Sequence, residues 1–344
     1  MMRKIKVLVV DDSLLFRELI VKGISTDVGI EVVGAAENPY DARDKIIQYE
    51  PDVITLDIEM PRMNGIEFLK KLMPQYPLPV IVVSFESVNI SEALKAGAVD
   101  FITKPQLNHA KSVEQFILEL ITKIKIASTT NVSKWKYEST TGTIHKTVYP
   151  IKREIKVIAI GASTGGTEAI ACILSKLPND LPGIVIVQHM PPVFTKMYAD
   201  RLNTICSMEV MEAQNGDLIL PGRVLIAPGD FQMQVNGSSD EPFVECFIGE
   251  KVSGHCPSVD VLFESVADRI GKKSLGVILT GMGNDGAKGL LSMKRKGAIT
   301  LGQDEKSSIV YGMPKIAYEL GGVQQQISLE LMAEMIFSTV KNLF

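Results

Sequence analysis

Short runs of β-branched residues alternate with stretches of helical spacing twice along this chain, and a polar segment separates the two series. Strand-helix alternation of this kind is solved by a parallel sheet with helices on both faces. In the first series the expected strands are 6–10, 31–35, 53–56, 80–84 and 100–103. The expected helices are 14–26, 39–49, 65–73, 90–96 and 109–126. Five strand-helix units within about 125 residues predict a flavodoxin-like, doubly wound α/β domain over residues 1–127.

The pattern stops at 128–153, where Ser128, Thr129, Thr130, Asn131, Ser133, Ser139, Thr140, Thr141 and Thr143 crowd together without apolar periodicity. This stretch reads as an interdomain linker, in which Trp135 and Tyr137 are the side chains able to dock on a neighbouring surface. Alternation then returns. Strands are expected at 156–160, 183–187, 223–227, 243–247, 275–279 and 298–301, with helices at 167–175, 193–203, 259–270, 285–296 and 329–340. Residues 154–344 therefore predict a second doubly wound α/β domain. Several strand-like pieces between 211 and 247 without an intervening helix predict a β-hairpin insertion in it. A length of 344 residues agrees with two domains.

Bulk composition excludes several classes. A formal net charge of −4 argues against a nucleic-acid surface as the main partner. The first apolar run reaches Asp11 too soon for a signal peptide, and no later stretch offers the roughly 20 apolar residues of a membrane span. The 4 cysteines, Cys172, Cys206, Cys246 and Cys256, form no C-x-x-C pair and read as reduced thiols. A cytoplasmic protein without membrane insertion is expected.

Doubly wound sheets gather functional groups beyond the carboxyl ends of their strands. In the first domain Asp11 and Asp12 follow strand one, Asp57 ends strand three, Ser84 ends strand four and Lys104-Pro105 ends strand five. Taken singly, an aspartate there reads as a helix cap. Together the acids repel, by about 4 kcal/mol for two charges about 4 Å apart at a dielectric near 20. A hard cation relieves that repulsion, and carboxylates with waters and a phosphate suit Mg²⁺. Asp57 can then attack a phosphoryl donor, with Lys104 and the metal neutralising the developing charge and Ser84 bonding the new phosphoryl oxygen.

In the second domain Gly161-Ala-Ser-Thr-Gly-Gly166 follows an apolar strand and opens a helix. A serine on such a turn can be an exposed nucleophile, and the same turn can cradle a phosphate at a helix N-terminus. Neither a P-loop lysine nor a G-x-G-x-x-G follows. A serine needs a base. Of the 4 histidines, His109 falls in the last helix of the first domain and His145 in the linker. His189 ends strand 183–188 on the same edge as Ser163 if the strands are parallel. Asp285, after strand 275–279, can orient the imidazole, and it also reads as the N-cap of the helix that follows. The order Ser163, His189, Asp285 differs from that of α/β-hydrolases. The 281–286 turn can present a backbone donor to an oxyanion, with Met282 the foremost candidate. His255 and Asp304 are the competing base and acid; His255 suits substrate binding or loop structure better.

Two resemblances follow from these motifs. Val9-Val-Asp-Asp-Ser13, Asp57-Ile-Glu-Met-Pro61 with Gly65, and Gly97-Ala-Val-Asp-Phe-Ile-Thr-Lys-Pro105 resemble the response-regulator receiver family across 4–125. The resemblance implies Asp57 as phosphoacceptor, Asp11 and Asp12 as members of the Mg²⁺ site, and Ser84 and Lys104 as switch residues. It also implies Phe101 as an aromatic switch and a cis bond at Lys104-Pro105. The second half is similar to the catalytic domain of the chemotaxis protein-glutamate methylesterase and protein-glutamine glutaminase family, over 155–342. The carrying motifs are Ile160-Gly-Ala-Ser-Thr-Gly-Gly166, Gln188-His-Met190, His255-Cys-Pro-Ser-Val-Asp260, Leu279-Thr-Gly-Met-Gly-Asn-Asp-Gly286 and Val310-Tyr-Gly-Met-Pro314. That resemblance implies Ser163 as nucleophile, His189 as base, Asp285 as orienting acid, and Thr164 and Met282 near the oxyanion, with no cofactor for the hydrolase. At Cys256 the family more often has arginine.

The implied function is a phosphorylation-activated serine hydrolase. It demethylates glutamate methyl esters and deamidates glutamines on chemoreceptor helices, with a chemotaxis histidine kinase as phosphodonor. Two rivals remain at this point: a non-catalytic, receiver-gated adaptor whose glycine-rich turn binds a phosphate-bearing ligand, and the same hydrolase acting on a receptor outside chemotaxis.

Overall fold

The structure, a computed structural model, describes residues 3–61, 63–85, 90–106, 110–129 and 154–341. His109, His145, Trp135, Tyr137 and all but the first two residues of the expected linker lie outside the described residues. The chain divides into two compact units, Met1–Tyr137 and Glu138–Phe344.

The first unit holds β1 (Ile5–Val10), α1 (Leu14–Ile24), β2 (Ile30–Ala36), α2 (Pro39–Tyr49), β3 (Val53–Asp57) and α3 (Gly65–Leu72). Then come β4 (Val80–Ser84), α4 (Ile90–Lys95), β5 (Asp100–Thr103) and α5 (Ala110–Ala127). The sheet order is β2-β1-β3-β4-β5 and each pairing is parallel. That is the flavodoxin-like order, with its switch point between β1 and β3. All five residues of β3 are buried, as a strand covered on both faces must be. Asn38 caps α2 by accepting from the N–H groups of Tyr40 and Asp41, with Pro39 in the first turn.

The second unit opens with β6 (Val157–Ala162), α6 (Gly166–Leu174), β7 (Gly183–Gln188), α7 (Phe194–Ile205), β8 (Glu209–Glu212) and β9 (Arg223–Ile226). The hairpin β10 (Gln232–Gly237) and β11 (Pro242–Phe247) follows, then α8 (Val259–Arg269), β12 (Ser274–Ile278), α9 (Ala287–Arg295) and β13 (Ile299–Gln303). The chain ends in α10 (Met313–Glu319), β14 (Gln325–Ile327) and α11 (Leu329–Lys341). Seven strands pair in the order β14-β13-β12-β6-β7-β9-β8, all parallel, while β10 and β11 form a separate antiparallel pair. The expected hairpin insertion is therefore present. β8, β14 and α10 are additions to the expected elements.

Residues of β6 alternate between two cores. Ile158, Ile160 and Ala162 face one cluster with Ile170 and Leu174 of α6; Val157 and Ala159 face the other with Leu262, Phe263 and Leu290. The chain leaves β6 towards β7 on one side and later returns to β12 on the other, so the topological switch point lies between β6 and β12. Crevices at such points are where α/β sheets bind ligands.

All four cysteines are free. No helix among the described residues is long and apolar enough to cross a membrane.

Candidate functional site

The carboxyl edge of the first sheet gathers the expected acids. Asp11 and Asp57 are buried, Asp12 is exposed, and the three offer carboxylate oxygens within 4.8 Å of one another. Lys104 reaches in from the end of β5. Its Nζ donates to Asp57 Oδ2 at 2.6 Å and forms an ion pair with Asp11 Oδ2 at 2.8 Å. Burial pushes the Asp57 carboxyl up to about 6, against the opposing pull of the Lys104 ammonium. Asp11 is raised for the same reason, with the Asp12 charge adding to the effect. Burial disfavours the Lys104 charge, but its two carboxylate partners outweigh burial and hold its pKa above the ordinary value.

Ser84 is buried at the end of β4, and Phe101 is buried in β5. Two aromatic rings not singled out in the sequence cover the lysine. Phe16 and Phe85 meet edge to face at 5.1 Å, and Lys104 Nζ lies 4.9 and 5.2 Å from their centroids. The expected cis bond at Lys104-Pro105 is not found; among the described residues the cis bond is at Cys256-Pro257. An X-Pro pair permits either isomer and its sequence does not choose between them.

The raised Asp57 pKa fixes a sign. A carboxyl whose folded pKa exceeds its unfolded value contributes stability below the unfolded pKa and loses it as pH rises through about 6. Asp57→Asn removes that ionisation cost. Urea unfolding of the first unit should show the variant more stable than the parent by about 1–3 kcal/mol at pH 7. Near pH 4 the two should coincide. A constant difference across pH 4–7 would contradict burial as the source of the shift.

In the second sheet the pairing of β6 with both neighbours sets three chain ends side by side. The His189 N–H donates to Ala162 O at 3.2 Å across the β6–β7 edge. The Ser163 N–H donates to Thr280 O at 3.0 Å across the β6–β12 edge. Gly165 takes φ +77 in the turn that leads into α6. A Cβ on Gly281 would come within 2.8 Å of Ser163 Cβ, so the 280–286 turn approaches the serine as only glycine permits. Thr164 and Met282 thus flank Ser163 on adjacent turns, Thr164 buried and Met282 exposed. The Thr164 carbonyl is held by Thr280 Oγ1 at 3.0 Å.

His189 and Asp285 meet directly, Nε2 to Oδ2 at 2.8 Å, with side chains 8% and 1% exposed. An ionised carboxylate only accepts, so Nε2 carries the hydrogen and Nδ1 is left as the basic nitrogen. Nδ1 is buried and has no hydrogen-bond partner. The ring faces its acid the other way round from the familiar serine-protease triad, where Nδ1 faces the acid. Ser163 and His189 stand on neighbouring strand ends, and their side chains are not hydrogen-bonded to each other. Catalytic hydrogen bonds are commonly loose before substrate arrives.

The environment of Asp285 corrects its local reading. The helix that follows it, α9, is capped by Gly286 without a side-chain bond. Asp285 instead caps α8: it accepts from Ser258 Oγ at 2.7 Å, Val259 N at 2.7 Å and Asp260 N at 3.0 Å. Burial alone would raise its pKa, but the bonds from His189, Ser258 and the Asp260 N–H together hold it below the usual carboxylate range. Asp260 returns the contact by accepting from the Gly289 N–H of α9 at 2.8 Å, so the two helices exchange caps. Asp285→Ala would strand three buried donors besides the imidazole. A stability loss of about 2–4 kcal/mol is expected in thermal or urea unfolding, with Asp285→Asn losing less. Equal stability of the alanine variant and the parent would refute the capping role.

The competing acid falls elsewhere, and the competing base lies against His189 without taking its place beside the acid. Asp304 accepts from the N–H and the hydroxyl of Ser307 and serves its own loop. His255 stacks on His189, with ring centroids 3.7 Å apart and planes 10° from parallel. Gln188 and Ser258 were missed by sequence reasoning. Gln188 Nε2 donates to the carbonyls of Ser163 at 2.9 Å and His189 at 3.2 Å, tying the two chain ends together. Its signal was a polar residue closing an otherwise apolar buried strand.

Residues 7–114 match the response regulator receiver domain, and residues 158–336 match CheB methylesterase. A protein-glutamate methylesterase/protein-glutamine glutaminase of Syntrophomonas wolfei is 53% identical over 345 residues, covering 99% of each chain. The chain belongs to the CheB methylesterase family. A protein of the same name from Shigella flexneri is 45% identical over 98% of each chain. The CheB methylesterase catalytic domain of Thermotoga maritima, a solved structure, is 35% identical with a TM-score of 0.52; the match covers 55% of this chain and 99% of that one. CheB membership accounts for both halves: a receiver, whose acidic cluster is of the kind that binds Mg²⁺, and a hydrolase.

Proposed function

We propose that this CheB-family chain is a phosphorylation-activated protein-glutamate methylesterase and protein-glutamine glutaminase, with Ser163, His189 and Asp285 as its catalytic residues. The observation that carries the reading is the buried His189–Asp285 pair beside Ser163 at the sheet's switch point. Ser163 Oγ attacks the γ-carbonyl carbon of a glutamate methyl ester while its proton passes to His189 Nδ1. Nε2–H stays bonded to the ionised Asp285, which stabilises the imidazolium. The oxyanion forms between the turns carrying Thr164 and Met282, whose backbone N–H groups are its donors. Collapse breaks the C–O bond, and the imidazolium gives its proton to the leaving methoxide, releasing methanol. Water then cleaves the glutamyl-serine ester with His189 again as base. With glutamine the same steps release ammonia. This half takes no cofactor.

In the receiver, Asp57 is the phosphoacceptor, and Asp11, Asp12 and Asp57 would hold Mg²⁺. Carboxylate oxygens this close suit a hard cation. When bound, the metal supplies positive charge against the incoming phosphoryl oxygens. Lys104 neutralises that charge from the protein side, Ser84 bonds the phosphoryl group, and Phe101 reports the change. The partners are a chemotaxis histidine kinase and the cytoplasmic helices of chemoreceptors, which places the protein in the cytoplasm. The test is methanol release from methyl-esterified receptor in the presence of a small phosphodonor. No release above that of receptor alone would overturn the reading; labelling of Ser163 by a serine-directed fluorophosphonate then separates the hydrolase with another substrate, which is labelled, from the adaptor, which is not.

A further inference from the structure

The geometry points to His255 as a positioning residue of the hydrolase: its imidazole, laid face to face on His189, fixes the plane of the base. This inference rests on the reading of His189 as general base. Asp285 holds His189 at one point only, Nε2, and a ring held at one edge can still swing about that contact. Swinging would move Nδ1, the nitrogen that must meet the serine proton. A second imidazole at 3.7 Å and 10° removes that freedom by occupying the space beside the ring. Parallel rings also rule out hydrogen bonding between them, because ring nitrogens donate and accept in their own plane. The contact is therefore one of shape and π-stacking.

The segment bearing His255 is built to hold it still. Val252 and His255 exchange both backbone hydrogen bonds, at 3.0 and 2.9 Å, around Ser253 (φ +53) and Gly254 (φ +85). That is a tight two-residue turn with both central residues left-handed. Three residues later, Ser258 donates to Asp285. Buried Gln232 spans the two ends: its Nε2 donates to His255 O at 3.4 Å, and its Oε1 accepts from Ser258 N at 2.8 Å. One short segment thus stacks on the base and bonds to the acid, and a single glutamine braces both ends.

The test uses the full-length protein with a small phosphodonor and methylated receptor, measuring kcat and KM for methanol release. His255→Ala should lower kcat by about 10- to 100-fold, the range expected when a reacting group is misplaced by about 1 Å. KM should change less than about 3-fold, since a residue that positions the base acts on the chemical step rather than on ground-state binding. His255→Phe, which keeps a flat ring without nitrogens, should recover most of kcat. His255→Gln, which keeps polar atoms without a ring, should stay as slow as alanine. Unchanged kcat in His255→Ala, or glutamine outperforming phenylalanine, would overturn the inference. If alanine fails to fold, the comparison of phenylalanine with glutamine still decides. Absence of turnover in the parent protein would instead remove the underlying reading of the triad.

Discussion

Ser163→Ala will lower methanol release by about 10⁴- to 10⁶-fold while leaving the fold intact. The size follows from what the side chain supplies. Acyl transfer through an enzyme ester splits a slow displacement by water into two faster steps, and without the hydroxyl neither can begin. The remaining groups of the proposed site, His189 as base and the backbone donors of the 164 and 282 turns, can only assist direct attack by water. The fold should tolerate the change because the Ser163 hydroxyl is not hydrogen-bonded to His189, and the strand register there is set by backbone bonds. Ser163 N to Thr280 O and His189 N to Ala162 O both survive it. Circular dichroism and melting of the variant should overlay those of the parent. Methanol release within about 10-fold of the parent would show that another group is the nucleophile.

Asp57→Asn gives the second large effect. The amide oxygen is a far weaker nucleophile than a carboxylate, so phosphate incorporation from a radiolabelled donor should fall to background. Stimulation of methanol release by that donor should vanish with it. Release measured without donor should persist, because Asp57 belongs to a different compact unit from the hydrolase residues. Undiminished labelling of the variant would move the phosphoacceptor to another acid, with Asp12, the exposed one of the cluster, next in line.

Much of this was readable from residues alone, and the reasons differ by region. The receiver strands are short, largely apolar runs of four to seven residues, β1 and β3 leading into the acids Asp11 and Asp57, and the structure keeps each within a residue or two of expectation. β14 escaped notice because its sequence, Gln-Gln-Ile, is three residues of largely polar edge strand whose one partner among the described residues is β13. α10 is a seven-residue helix with Pro314 in its first turn, too short for apolar periodicity to register. At the hydrolase edge, strand ends predicted which groups could meet. They could not predict that β6 lies between β7 and β12, and it is this order that seats residues 163, 189 and 285 together.

The N-cap reading of Asp285, which its sequence position also allowed, fails for a specific reason. Local rules assign an acid before a helix to that helix, whereas here α8, which packs beside α9, competes for the carboxylate with three donors. The stacking of His255 was equally hidden, since it depends on a loop returning 66 residues later to the edge where His189 stands.

The exchange of caps between α8 and α9 makes Asp285, the acid proposed to orient His189, a structural joint. Fraying of either helix start would release the carboxylate before the sheet itself opens. Warming should therefore disarm the enzyme ahead of its bulk melting, with lost turnover as the earliest sign that this corner of the molecule is loosening.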